Sequence, residues 1–247
     1  MSSVPTTCSS VLELRQYTLR LGQRDALITL FDQHFVESQE AVGMHIVGQF
    51  RDEDRPDRFV WLRGFPDMAS RRASLEAFYG GPMWKAHREA ANATMQDSDN
   101  VLLLRPVRPD TVLEHPGLPR PPIGEGFLPD SRVEVTLGFL KAPADERLLR
   151  FFDQNVRSVL TGLGAAPRGL FQTEPAENTF PVLPVRTGEH VLAWLTVFPS
   201  AERHQAHCAQ RARSTAWTEQ VLHGFHSSLS APLEHLTLVP TLRSQLR

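Results

Sequence analysis

The chain has 247 residues, 41% hydrophobic and 22% charged, with a formal net charge of -2. That length exceeds one ordinary core, and the composition supplies enough apolar surface for two, which excludes wholesale disorder. With only Lys85 and Lys141 beside scattered arginines, no basic run offers a field for nucleic acid or anionic lipid.

From the start, Met1 to Ser10 lacks the basic and apolar regions of a leader, and no later run has the apolar length of a membrane span. The expectation is a flexible tail over 1–11 and a cytoplasmic protein without a nucleic-acid or membrane partner. Cys8 lies in that tail and Cys208 inside a helical pattern, so neither a disulfide framework nor a four-cysteine metal site is indicated.

Leu12 to Leu19 alternates as a strand, and Leu27, Leu30, Phe31, His34 and Phe35 recur at helical spacing. Met44 to Arg51 and Phe59 to Phe65 read as the middle strands around the polar turn Asp52 to Arg58. A second helix is broken by Tyr79-Gly80-Gly81-Pro82, with Pro82 placed to restart it, and Val101 to Arg105 closes the unit. Seven prolines between Pro106 and Asp130 favour an extended spacer over a packed element.

The pattern then repeats. Leu30-Phe31-Asp32-Gln33 is answered by Phe151-Phe152-Asp153-Gln154, a shift of 121. Trp61-Leu62, Phe65-Pro66 and Trp84 recur as Trp194-Leu195, Phe198-Pro199 and Trp217 at a shift of 133, and Pro106 recurs as Pro240 at 134. One insertion in the Glu174 to Gly188 loop explains the step, since surface insertions cost little. Strands are expected near 132–140, 168–173, 189–198 and 233–239, with helices near 144–163 and 200–229. Asp67 and Ser200, aligned by the 133 shift, are both N-cap residue types.

The layout is thus two ferredoxin-like βαββαβ modules, 12–106 and 132–240, a Pro-rich linker over 107–131 and a tail over 241–247. A sheet of this kind has helices on one face only, so its bare face must be covered. Stacking the two bare faces gives an intramolecular barrel, an α+β pseudo-dimer that works as a monomer and for which a homodimer is optional.

The run Glu13-Leu14-Arg15-Gln16-Tyr17-Thr18, the run from Phe59 to Phe65 and the helix from Trp84 to Asn92 resemble the NIPSNAP family over most of 12–106, and over 132–240 in outline. The resemblance implies the dimeric α/β barrel, a fold shared by haem-degrading and cofactor-free monooxygenases, muconolactone-type isomerases and chlorite dismutase-like haem proteins. It implies no single reaction.

On the first strand Leu12, Leu14 and Gln16 point one way and Glu13, Arg15 and Tyr17 the other. The apolar set is expected to face the helices. Glu13, Arg15 and Tyr17 would then line the barrel with Phe59, Trp61, Arg63 and Phe65, an arrangement suited to an organic anion or an enolizable carbonyl compound. On the last helix of the first module Trp84, Arg88, Ala91 and Met95 share a face expected to pack on the sheet, with His87 and Asn92 at its shoulders and Tyr79 on a rim above. His204, His207 and Cys208 share another helix face without a visible carboxylate, and His223 and His226 lie three apart, so no metal is expected. No Walker loop, dinucleotide fingerprint or nucleophile elbow is present.

The leading expectation is a small-molecule enzyme of biosynthetic type without a cofactor, doing acid–base or cofactor-free oxidative chemistry. Tyr17, His87 and Glu13 are the catalytic candidates. Arg15, Trp61, Arg63, Tyr79, Trp84, Arg88 and Asn92 are the binding candidates. The alternatives are a haem protein ligated by His87 and a non-catalytic ligand-binding or adaptor protein.

Overall fold

The computed structural model describes residues 9–113 and 119–247; Cys8, most of the N-terminal tail and residues 114–118 of the linker lie outside them. The first module runs β1 (Val11–Leu19), α1 (Arg24–Leu30), α2 (Val36–Glu40), β2 (His45–Asp52), β3 (Arg58–Phe65), α3 (Met68–Gly80), α4 (Pro82–Thr94), β4 (Met95–Asp97) and β5 (Val101–Pro106). The second runs β6 (Arg132–Leu140), α5 (Glu146–Phe151), α6 (Arg157–Gly162), β7 (Gly169–Thr173), β8 (His190–Phe198), α7 (Ala201–Arg213), α8 (His223–His226) and β9 (Glu234–Pro240). A π-helical turn, Phe31–Phe35, joins α1 to α2, and its counterpart Phe152–Val156 joins α5 to α6. The repeat therefore extends to a rare backbone feature.

Strands β2-β3-β1-β5 form one antiparallel sheet and β7-β8-β6-β9 the other, with the short β4 beside the end of β1. Phe50 pairs with Pro240 at one seam and Leu104 with Thr173 at the other, so the two sheets close into an eight-stranded barrel. Closure removes the free edges that either sheet would present alone. The register confirms the alignment of the copies: Glu13 faces Arg63 and Arg15 faces Trp61, as Glu134 faces Thr196 and Thr136 faces Trp194.

Local signals act where the sequence places them. Asp67 and Ser200 accept hydrogen bonds from the backbone N–H of Ser70 (2.6 Å) and Arg203 (3.2 Å), capping α3 and α7. Pro82 opens α4. At Gly81 a Cβ would stand 2.8 Å from the carbonyl oxygen of Ala77, so the chain passes too close to the preceding turn for a side chain.

One expectation is reversed. Leu12, Leu14, Val60, Leu62, Val133 and Leu195 belong to a single apolar cluster that fills the barrel, while Glu13, Arg15, Tyr17, Trp61 and Arg63 lie on the opposite face, under the helices. A closed eight-stranded barrel has just enough interior for side chains and no route for water, so its inner set must survive complete desolvation. Aliphatic side chains do so at no cost; the Glu–Arg set needs the sheet–helix layer, where α3 brings a further guanidinium.

The spacer is also more than extended chain: Pro109–Thr111 makes a 3-10 turn, and Leu113 packs into the barrel cluster, as does Leu246 from the tail. Arg120 donates to the carbonyl of Ile46 (2.6 Å) and Arg243 pairs with Glu37, which ties linker and tail to the first module. Among the described residues no helix is long and apolar enough to cross a membrane.

Candidate functional site

The outer face of β1 and β3 puts Glu13, Arg15 and Tyr17 beside Arg63, Trp61 and Phe59. Above them α3, started by its Asp67 cap, presents Arg71, Leu75 and Phe78 from one buried face. Glu13 is the hub. Its Oε2 accepts from Arg15 Nη1 and Arg63 Nε and its Oε1 from Arg71 Nε, each at 2.7 Å. All four side chains are buried, none more than 1% exposed.

Three guanidiniums around one carboxylate leave a buried excess of two positive charges. Burial alone would raise the Glu13 carboxyl, but the fields of Arg63, Arg15 and Arg71 outweigh it and hold the group well below the usual carboxylate range. Glu13 is therefore fixed as an anion.

The donors are only partly used. Arg63 Nη1 donates to Gln39 Oε1 (3.0 Å), and Arg71 Nη1 donates to Asn178 Oδ1 (3.0 Å) and Thr179 Oγ1 (3.2 Å). Arg63 Nη2, Arg71 Nη2 and the indole Nε1 of Trp61 are buried without a hydrogen-bond partner. Arg15 Nε donates to the Tyr17 hydroxyl oxygen at 3.0 Å, which leaves the phenol's own hydrogen for another acceptor. Burial pushes the Tyr17 phenol up despite the opposing field of Arg15, so it stays protonated.

Beside this network lies a cavity of about 30 Å³ bordered by Tyr17, Phe31, Phe35, Trp61, Tyr79 and Trp84. The Arg63 guanidinium stands 5.0 Å from the Trp61 ring centre, within cation–π range. The inserted loop after β7 closes the layer: Asn178 and Thr179 hold Arg71, and Phe180 stacks on Tyr79 at 5.8 Å. On the other side of this loop is a larger groove of about 600 Å³, bordered by Arg105, Asn178, Arg186, Glu189 and His190. Its arginines are more than matched in number by Glu174, Glu177 and Glu189, whereas the unbalanced charge lies beside the smaller cavity, whose own border is largely aromatic and uncharged.

Of the sequence candidates, Glu13, Arg15, Tyr17, Trp61, Arg63, Tyr79 and Trp84 meet here. His87, Arg88 and Asn92 do not. His87 is half-buried, its ring stacked on His34 at 3.7 Å, and Arg88 and Asn92 are exposed. The buried line of α4 runs through Ala91 and Thr94 and is centred toward the His87 side, which turns Arg88 outward. Among the described residues the structure offers no haem pocket on His87, because its ring lies stacked against His34 and it borders neither of the two cavities. Sequence reasoning missed Arg71, Gln39, Asn178, Thr179 and Phe180. Arg71, Leu75 and Phe78 at i, i+4 and i+7 carried a readable signal.

The second module keeps the hub and changes its partners. Glu134 occupies the place of Glu13, while Thr136, Thr196 and His204 stand at the places of Arg15, Arg63 and Arg71. Here Arg211 and His204 hold the carboxylate, so the second copy has a charged centre of its own.

Residues 12–108 match the NIPSNAP family model. A search of curated proteins gave no match. Solved structures similar over nearly the whole chain include two proteins described as "putative monooxygenase". The one from Lactobacillus acidophilus NCFM is 12% identical, with TM-score 0.56 over 94% of each chain. The one from Fusobacterium nucleatum subsp. nucleatum is 8% identical, with TM-score 0.59 over 94% of this chain and 93% of that one. An anthrone oxidase-like protein is 12% identical, with TM-score 0.56 over 96% of this chain and 94% of that one. These likenesses establish the barrel.

Proposed function

We propose, from the match of residues 12–108 to the NIPSNAP family model and the geometry beside it, that the first module's cleft binds a small organic anion and performs acid–base or cofactor-free oxidative chemistry on it. The carrying observation is the unbalanced guanidinium cluster, whose Arg63 Nη2 and Arg71 Nη2 have no hydrogen-bond partner among the described residues, as the Trp61 N–H has none. A buried donor without a partner costs about 1–3 kcal/mol, more when charged, and a ligand oxygen recovers that cost. The names of the similar barrels, monooxygenase and anthrone oxidase-like, agree with an oxidisable organic substrate.

The residues divide the work by chemistry. Glu13 is no base in this reading; held as an anion by three arginines, it positions them. Arg63 and Arg71 receive a carboxylate, phenolate or enolate oxygen. Trp61, Trp84 and Phe31 flank the ligand's carbon frame. Fixed positive charge favours the ionised form of a bound phenol or enol, whose O–H proton leaves to water as the ligand enters, and the neutral Tyr17 hydroxyl donates to the anion's oxygen. The anion's carbon then either takes the Tyr17 proton or bonds to dioxygen to give an organic hydroperoxide that takes that proton, and Tyr17 regains a proton from water. Because the cavity is small in this closed state, a substrate enters only when Tyr79 and the Phe180 loop move aside.

The test is titration of the full chain with hydroxybenzoates and hydroxynaphthoates, following tryptophan fluorescence, with dioxygen uptake measured alongside. Arg71→Gln should weaken binding more than about tenfold through the lost charge-assisted bond. Tyr17→Phe should keep binding and slow turnover by about 10²–10⁴. Equal binding by folded Arg71→Gln would remove the reading, and binding without turnover in the unmutated protein would make it a ligand-binding module.

A further inference from the structure

We propose that the second module holds a divalent transition metal, zinc by preference, between Glu134, His204 and Cys208. The three ligand atoms come from two elements, the carboxylate from β6 and the imidazole and thiol from one turn of α7. His204 Nε2 lies 3.2 Å from Glu134 Oε2 and 3.4 Å from Cys208 Sγ, and Sγ lies 3.9 Å from the same Oε2. A tetrahedral zinc with bonds of about 2.0–2.1 Å to nitrogen and oxygen and about 2.3 Å to sulfur requires edges of roughly 3.3, 3.5 and 3.5 Å. Only the sulfur–oxygen edge must shorten, by a few tenths of an ångström, well within a side-chain adjustment. Three protein ligands leave a fourth position open for water or a substrate oxygen.

The comparison of the two copies points the same way. Glu13 is neutralised by three guanidiniums; at the equivalent places around Glu134 stand Thr136, Thr196 and His204, and Leu75 is matched by Cys208. The three arginine places hold two threonines and one metal-binding side chain, His204, and the second metal-binding side chain, Cys208, stands where the first module has an aliphatic one. Among the described residues the one guanidinium on Glu134 is that of Arg211, at the place of Phe78, donating to Oε1 and, at 3.2 Å, to Oε2. In the metal-bound state it keeps Oε1 and orients the carboxylate from behind, the outer-shell arrangement typical of ligating carboxylates. His235 Nδ1, 3.5 Å from Oε1 and bonded to Thr136 Oγ1 at 3.1 Å, completes that shell. Glu134 and His204 are buried while Cys208 is half-exposed, which gives an ion its way in. Thiolate and imidazole together select zinc over magnesium or calcium.

The experiment uses the full chain, stripped with a chelator and titrated with Co²⁺ and then Zn²⁺. One equivalent of cobalt should give a near-ultraviolet sulfur-to-metal charge-transfer band with tetrahedral visible bands, all bleached by zinc. Cys208→Ser and His204→Ala should each lower zinc affinity by about 100-fold or more, since a lost ligand exceeds the 10–100-fold of a lost outer-shell partner. Cys8→Ser and the exposed-helix variant His223→Ala should leave both unchanged. Should a variant fail to fold, zinc must still slow alkylation of Cys208 by iodoacetamide in the unmutated protein. No charge-transfer band at saturating cobalt, a band lost with Cys8 instead of Cys208, or unslowed alkylation would each overturn the assignment.

Discussion

Replacing Glu13 by glutamine removes one charge and almost no volume. The carboxylate accepts three charge-assisted bonds at 2.7 Å, two on Oε2 and one on Oε1. A glutamine oxygen can serve Arg15 and Arg63 from the Oε2 position, but its NH₂ then meets the N–H of Arg71, donor against donor. Breaking a buried ion pair on one side costs about 3–5 kcal/mol, because an uncompensated charge remains in the core. At roughly 2–4 °C per kcal/mol for a chain of this size, Glu13→Gln should lower Tm by roughly 6–20 °C.

The pH dependence carries a further check. A carboxyl held below its ordinary range in the folded state stabilises the protein fully above its unfolded pKa, and that stability drains away as pH falls from there toward the folded pKa. The gap between the unmutated protein and Glu13→Gln, measured by urea denaturation, should therefore be widest at neutral pH and shrink progressively below about pH 4.3. A neutral-pH difference under about 1 kcal/mol, the range of an exposed pair, would refute the hub assignment.

Two other predictions test the frame and the loop. Gly81→Ala puts a Cβ against a backbone carbonyl and should cost about 1–3 kcal/mol, whereas Gly80→Ala meets open space and should be neutral or stabilising by up to about 1 kcal/mol; thermal melts compare them. Asn178→Ala removes the acceptor shared by Arg71 Nη1 and the Phe180 N–H and the donor to the Leu183 carbonyl, so acrylamide quenching of tryptophan fluorescence should increase while Tm falls by only a few degrees. Unchanged quenching would show that the loop does not cover the cleft.

Much of the architecture was legible because local and repeated signals agree. Asp67, Ser200 and Pro82 each act through their own neighbours, and Phe31 with Phe152 or Trp61 with Trp194 mark the same framework places twice. Period-two alternation separated Glu13, Arg15 and Tyr17 from Leu12 and Leu14 but carries no information about which set is inside when both faces of a strand are buried. That choice is made by barrel closure, a long-range event. Arg71 was hidden beside exposed Arg72, a neighbour of the same type, and only the helix turn separates them. Arg88 was misplaced because a helical stripe fixes its members better than its centre. The insertion was visible as a change of shift, yet its contact with Tyr79 and Arg71 depends on how the two modules close.

The paired hubs also predict that the metal site is not transferable, which separates ligand geometry from charge. In the second module His204→Arg would place a guanidinium where Arg71 stands in the first, satisfying Glu134 as Arg71 satisfies Glu13. That variant should fold with little loss of Tm and bind no cobalt. The reverse graft, Arg71→His with Leu75→Cys, supplies the first module with the same three ligand types around Glu13. Arg15 and Arg63 remain there, each 2.7 Å from the carboxylate. A unit charge at 4 Å is worth about 4 kcal/mol at an effective dielectric of 20, and about twice that against a divalent ion. Two such repulsions against the single one from Arg211 should abolish binding in the graft despite its complete ligand set. Cobalt charge transfer in a graft carrying Cys208→Ser, to silence the second module, reads the result. A tetrahedral spectrum there would show that ligand placement alone sets metal affinity and that the exchange of arginines between the copies has a different cause.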